Sequence, residues 1–189
     1  MIKSISATVI AAAAMLVAGA ASADISPNGV YSLGSPSNLQ VAQSVTLPNC
    51  TVTWSNVLTV SGFVASPPPS SNGTGVVAAN GKSLGGPGLC SGVSLLNNWT
   101  VTADPVAGSD PNLKPIIISG FWAKTLNGEC GSSTQTIKAN YNVSLQRIEI
   151  DASVAGWYYV IPPIPPKVTK ACTIKGYVNV SSPLTITNP

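Results

Sequence analysis

The carboxylates available for acid–base chemistry are Asp24, Asp104, Asp110, Glu129, Glu149 and Asp151, and the chain has no histidine. That absence removes histidine general bases, Ser-His-Asp and Cys-His nucleophiles, and histidine-ligated metal sites. Glu149 and Asp151 stand two apart on a predicted strand and so share a face. A glycosidase needs two carboxylates about 5–5.5 Å or about 6.5–9.5 Å apart, which such a pair could approach. The interleaved Ile148 and Ile150 face the core in that arrangement, so the acids point to solvent and read as surface charges. The same pair, or Asp104 with Asp110 across a loop, could help hold calcium, but no dense Asp/Asn/Gly loop accompanies them. Gly81-Lys82-Ser83 matches the end of a phosphate-binding loop, yet the glycine that pattern needs at position 76 is Val76. No catalytic residue, metal or cofactor is expected, and the chain reads as a non-enzyme.

Four cysteines, Cys50, Cys90, Cys130 and Cys172, are spaced 40, 40 and 42 residues apart. An even count in an exported chain predicts two disulfides, and three connectivities are open. Cys50–Cys90 with Cys130–Cys172 is the expected one, because it staples each half to itself. In the loop-entropy account each closure adds about 3–4 kcal/mol.

The aromatic side chains are the other chemical resource. Alternation places Trp54 and Trp99 in the core. Phe121-Trp122 and Trp157-Tyr158-Tyr159 are adjacent rings that must point to opposite faces of a strand. Trp122, Trp157, Tyr158 and Tyr159 are therefore the candidate exposed aromatic contacts. Rings of this kind stack on sugars or lie on lipid and alkane surfaces.

The elements that must carry these groups are strands. Apolar residues recur with period two: Leu39, Val41, Val45, Leu47; Cys50, Val52, Trp54; Leu58, Val60, Gly62, Val64; Val93, Leu95, Trp99, Val101, Ala103; Ile137, Ala139, Tyr141, Val143, Leu145; Ile174, Gly176, Val178, Val180. Thr, Ser and Asn fill much of the opposite parity, the mark of half-buried antiparallel strands. Asn-Gly pairs at 28–29, 72–73, 80–81 and 127–128 can supply the positive φ of tight turns. Pro67-Pro68-Pro69 reads as an exposed loop, residues 104–115 as another, and Pro162-Pro163-Ile164-Pro165-Pro166 as a stiff connector outside any sheet. The expected fold is all-β: an antiparallel sandwich or barrel of about ten strands, in one domain over residues 24–189.

Residues 1–23 have the three parts of a secretory signal: Lys3, the apolar stretch Ala7 to Gly19, and the small residues Ala21-Ser22-Ala23. Cleavage is expected after Ala23, leaving no transmembrane segment; Ile116 to Ile118 is too short to span. Eight Lys/Arg and six Asp/Glu follow residue 23, with no basic run, which argues against nucleic acid as a partner. The short Ala-rich signal points to a bacterial protein, extracellular or at the cell surface.

A further set of segments runs over about residues 40–187. They are Cys50-Thr51-Val52-Thr53, the Gly-rich Gly85-Gly86-Pro87-Gly88-Leu89-Cys90, Leu95-Leu96-Asn97-Asn98-Trp99-Thr100-Val101, and Cys172-Thr173-Ile174 closing on Ser182-Pro183-Leu184-Thr185-Ile186. In these the chain resembles the alkane oxidation protein activators, small exported bacterial β-proteins. The resemblance implies a secreted accessory protein that helps cells use hydrocarbons, by emulsifying them or bringing them to the cell surface, with hydrocarbon or another apolar surface as partner. It implies no catalytic residues. The alternative is a structural subunit of an extracellular fibre or biofilm matrix, self-associating by strand exchange, with Leu39 to Leu47 as the donated strand. A carbohydrate-binding module is a third reading.

Overall fold

Period-two alternation decides this structure, because residues of one parity must find a common core and every strand edge must find a partner. The computed structural model describes residues 23–33, 39–42, 50–51, 56–61, 73–84, 90, 92–125, 127–161 and 164–188. Residues 1–22 of the expected export segment 1–23, the expected loop Pro67-Pro68-Pro69, Trp54 and residues 43–47 of the expected donated strand lie outside the described residues.

In chain order the strands are β1 Asp24–Ser26, β2 Gly29–Leu33, β3 Gln40–Ala42, β4 Cys50–Thr51, β5 Asn56–Ser61 and β6 Thr74–Val77. Next come β7 Ser94–Leu95, β8 Trp99–Ala103, β9 Leu113–Ser119, β10 Trp122–Lys124, β11 Gly128–Gly131 and β12 Thr136–Asn142. The last are β13 Arg147–Val154, β14 Gly156–Ile161, β15 Ile164–Thr169, β16 Cys172–Asn179 and β17 Thr185–Thr187. The all-β expectation holds, with more and shorter strands than the ten expected, because the alternating runs are broken where the chain changes sheets.

Ten strands form one sheet in the order β2-β5-β6-β8-β9-β12-β13-β16-β3-β4, with every neighbour antiparallel. The sheet curls until its first strand meets the end of β16. Leu33 bridges Val180, and the Ser181 N–H donates to Ser32 O at 2.9 Å. The result is a half-closed barrel, since the other end of β16 pairs with β3 instead. The inward parity fills it: Leu58, Val60, Trp99, Val101, Ile118, Ile148, Ile150, Ile174 and Val178 are all buried. Tyr141 is fully buried among them, and its phenol oxygen accepts the Leu184 N–H at 3.0 Å. Burial pushes the Tyr141 phenol above its ordinary value, while that amide opposes the rise.

Among the described residues β1 pairs only with β17, and it lies against β5, β6 and β8, with Ile25 fully buried. The buried Asp24 carboxylate accepts the Gly73 and Ile25 N–H groups. Gly73 is required by proximity, since a Cβ there would stand 1.8 Å from Ile25 O. Among the described residues of the four Asn-Gly pairs, only Gly81 has a positive φ, at 75°. Part of the donor-strand candidate is already placed, because β3 pairs within the chain to β16 and β4.

Five strands form the second sheet, β15-β14-β11-β10-β7. Two expectations change here. The proline run is not wholly a connector: Ile164–Thr169 is a strand, tolerated because β15 is the sheet edge and needs hydrogen bonds on one side only. Val143 and Leu145 do not continue the core parity, because β12 ends at Asn142 and both side chains are exposed in the turn to β13.

The two sheets share a corner at Ala155. Val154 pairs with Cys172 in the barrel, and Gly156 pairs with Cys130 in the second sheet. The Cys130–Cys172 disulfide, with Cα atoms 5.8 Å apart, spans that corner. It is the one disulfide seen where two were expected; the other, Cys50–Cys90, involves a Cys50 side chain outside the described residues. Gly156 leaves room for the bond, since a Cβ would stand 2.7 Å from Cys172 Sγ. Replacing both Cys130 and Cys172 by Ala should lower unfolding free energy by about 4 kcal/mol, read as a fall in urea midpoint.

Candidate interaction surface

The outer face of the second sheet follows from its register. Lys124 is opposite Glu129, Glu129 opposite Trp157, and Trp157 opposite Thr169. One step along, Tyr159 is opposite Lys167. Trp122 shares the parity of Lys124, and its Nε1–H donates to Glu129 Oε2 at 3.1 Å. Trp157 and Tyr159 meet edge to face, with centroids 5.2 Å apart and planes at 77°. The Lys167 ammonium sits 4.0 Å from the Trp157 ring centroid and 5.7 Å from that of Tyr159. Trp122, Trp157 and Tyr159 are half-buried on this face, and Tyr158 is half-buried on the opposite one. That inner face carries Leu95, Ala123 and Cys130, all buried. The register therefore brings three of the four aromatic candidates to one side. It adds Lys167, which its place after the charge-free stretch 152–166 could have marked.

The remaining sequence candidates are committed elsewhere. Glu149 accepts from Arg147 at 2.7 Å and from Asn142 Nδ2 at 3.1 Å, and Arg147 stacks 4.4 Å from the Tyr177 centroid. Asp151 pairs with Lys175 at 3.2 Å. Both lie on the outer barrel face with Ile148 and Ile150 buried between them, as the alternation predicts. The exposed Asp151–Lys175 pair adds little stability. Trp99 is 5% exposed and packs on Phe121 at 5.6 Å. The apolar void inside the barrel, lined by Leu33, Val77, Trp99, Ile118, Ile150 and Val178 among others, measures about 10 Å³. That is space on the scale of one water, so this void cannot house a hydrocarbon chain.

Asp104 is the acid the sequence underrated. Its residue is 3% exposed, at the edge of an open cleft of about 300 Å³ lined also by Val106, Pro115, Lys138 and Asn140. Oδ1 accepts the Val106 N–H at 2.9 Å, and Oδ2 pairs with Lys138 at 3.0 Å. The Val106 amide holds the carboxyl below its ordinary value; burial opposes this and Lys138 reinforces it. Asp110 accepts the Asn112 N–H at 2.8 Å. The two carboxylates proposed for calcium thus serve their own loop, and no group of three metal-ligating side chains occurs among the described residues.

A family model described as alkane oxidation protein activator PraA/PraB-like matches residues 1–188. Searches of curated proteins and of solved structures returned no significant match.

Because the folded Asp104 is the stronger acid, its contribution is present above the unfolded value, about 3.9, and is lost as pH falls through the folded one. Asp104→Asn should therefore be less stable than the native chain at pH 7, with the gap narrowing as the pH is taken below about 4. Thermal unfolding across pH reads this.

Proposed function

The chain belongs to the alkane oxidation protein activator PraA/PraB-like family, and from that premise we propose an exported, non-catalytic accessory protein. It works at the cell surface or the hydrocarbon–water interface, where it promotes the use of hydrocarbons. The family supplies the hydrocarbon. The observation that carries the reading onto this molecule is the face of Trp122, Trp157 and Tyr159, three half-buried rings on one side of a sheet. Rings so placed keep an apolar surface available without the cost of a fully exposed patch. The filled barrel interior supports contact at the surface rather than enclosure.

Pendant-drop tensiometry against hexadecane tests this. The oxidised protein should lower the interfacial tension. Trp157→Ala with Tyr159→Ala should weaken adsorption about fivefold for each ring, as loss of half a buried aromatic side chain implies. No fall in tension and no droplet binding would contradict the reading.

A fibre assembled by strand exchange is the second reading. What favours it is that β1 and β17 form a two-stranded sheet of their own, joined to no other ladder among the described residues, a pairing that a neighbouring copy could supply. Ordered filaments by negative-stain microscopy would support it, and a strict monomer at high concentration would count against it.

A further inference from the structure

Past Tyr158 the β14–β15 hairpin leaves the rest of its sheet. β11 pairs with β14 from Gly156 to Tyr158, and the last bond from that side is Tyr159 N–H to Asn127 O at 2.7 Å. Beyond that bond β14 has β15 as its only strand neighbour among the described residues. Val160 is 61% exposed, and Pro166 and Lys167 are exposed as well. Between Val160 and Lys167 the sequence is Ile-Pro-Pro-Ile-Pro-Pro. It holds no charge and no polar side chain, and four of its residues lack an N–H. A backbone with fewer donors enters a water-free medium at lower cost, because each donor carried in unpaired is penalised.

The foot of the hairpin has a different chemistry. Trp157, Tyr158 and Tyr159 are half-buried rings with polar handles, the type that settles where head groups meet acyl chains. Lys167 lies over Trp157, Lys124 shares that face, and Lys170 follows β15. The one carboxylate on this face, Glu129, accepts the Trp122 indole N–H. On the barrel, by contrast, Lys138, Arg147 and Lys175 are each matched by an acid. Lys124, Lys167 and Lys170 thus stand on or beside the second sheet against one carboxylate, Glu129, and Val160 is exposed in the same hairpin as Lys167.

We infer that the β14–β15 hairpin docks on a lipid layer bearing anionic head groups, with Val160 entering the acyl region and Lys124, Lys167 and Lys170 at head-group level. Charge complementarity selects this occupant. A neutral hydrocarbon gives the lysines no counter-charge, and an acidic polysaccharide or a nucleic acid leaves Val160 in water. The inference rests on the proposed action at an apolar–water boundary and names the boundary.

The test is co-sedimentation of the purified, oxidised protein with phosphatidylcholine vesicles, with vesicles containing roughly a quarter phosphatidylglycerol, and with a hexadecane emulsion. Binding to the anionic vesicles should exceed binding to the neutral ones and weaken with salt. It should fall about fivefold for each of Lys124→Gln and Lys167→Gln. Val160→Asp should cost about tenfold or more, whereas Val30→Asp, at a barrel position 69% exposed, should bind like the native protein. Equal binding to both vesicle types, or native binding by Val160→Asp, overturns the inference. Protein that coats hexadecane but ignores both vesicles overturns it and leaves the proposed function standing. Protein that ignores droplets and vesicles alike overturns both.

Discussion

The corner at Ala155 is the constraint on which the rest of the structure depends. There one strand pair, β13 with β16, ends its run in the barrel, and its continuation, β14 with β15, begins the second sheet. A two-stranded ribbon can change sheets only if its bend is held, because both edges would otherwise be free to slide. Three features hold it. Cys130–Cys172 crosses it covalently, Gly156 lets the sulfur approach, and the Gly131 N–H donates to Ala155 O at 2.7 Å. A fourth bond, Lys170 N–H to Gly156 O at 2.9 Å, sets the returning strand. The hairpin beyond is therefore aimed by a rigid foot rather than carried on a loop.

That aim separates the molecule into two surfaces with different work. The barrel is half closed, its inward face carries buried aliphatic side chains together with Trp99 and Tyr141, and Asp104, Glu149 and Asp151 are each paired with a lysine or arginine. The apolar void inside it measures about 10 Å³, too small for a hydrocarbon chain. The second sheet carries the rings and, on or beside it, three lysines against one carboxylate. The proposed function needs this division. The part that stays in water must remain folded without help, and the part proposed to adsorb must present apolar groups without unfolding to do so.

Much of the fold was legible from period two alone. The inward sets at 99–103, 137–141 and 148–150, with Ile174, Val178 and Val180, are buried as the alternation requires, and Cys130–Cys172 is the bond expected from stapling the second half to itself. What alternation cannot supply is which strands share a sheet, so the corner at Ala155 and the true strand count were invisible. The proline run misled for a related reason: proline is excluded from paired interiors but not from an edge, and edge status is a property of topology. Trp122, Trp157, Tyr158 and Tyr159 could be named because adjacent rings must diverge. That Trp157, Tyr159 and Lys167 converge depends on the β14–β15 register. Asp104 looked like an ordinary loop acid because its burial comes from β12 and the C-terminal Asn188, which donates to Asp104 O at 2.7 Å across 84 residues.

The central claim is that the chain meets an apolar phase through Trp157 and its hairpin. Quenching of tryptophan fluorescence by an emulsified brominated alkane tests it most directly, because the quencher acts only on rings at the boundary. The account predicts partial quenching on adsorption that falls in Trp157→Phe and falls further when Trp122 is replaced by Phe as well, with the buried Trp99 emission untouched. Quenching that is unchanged in Trp157→Phe, or adsorption with no quenching at all, would contradict it.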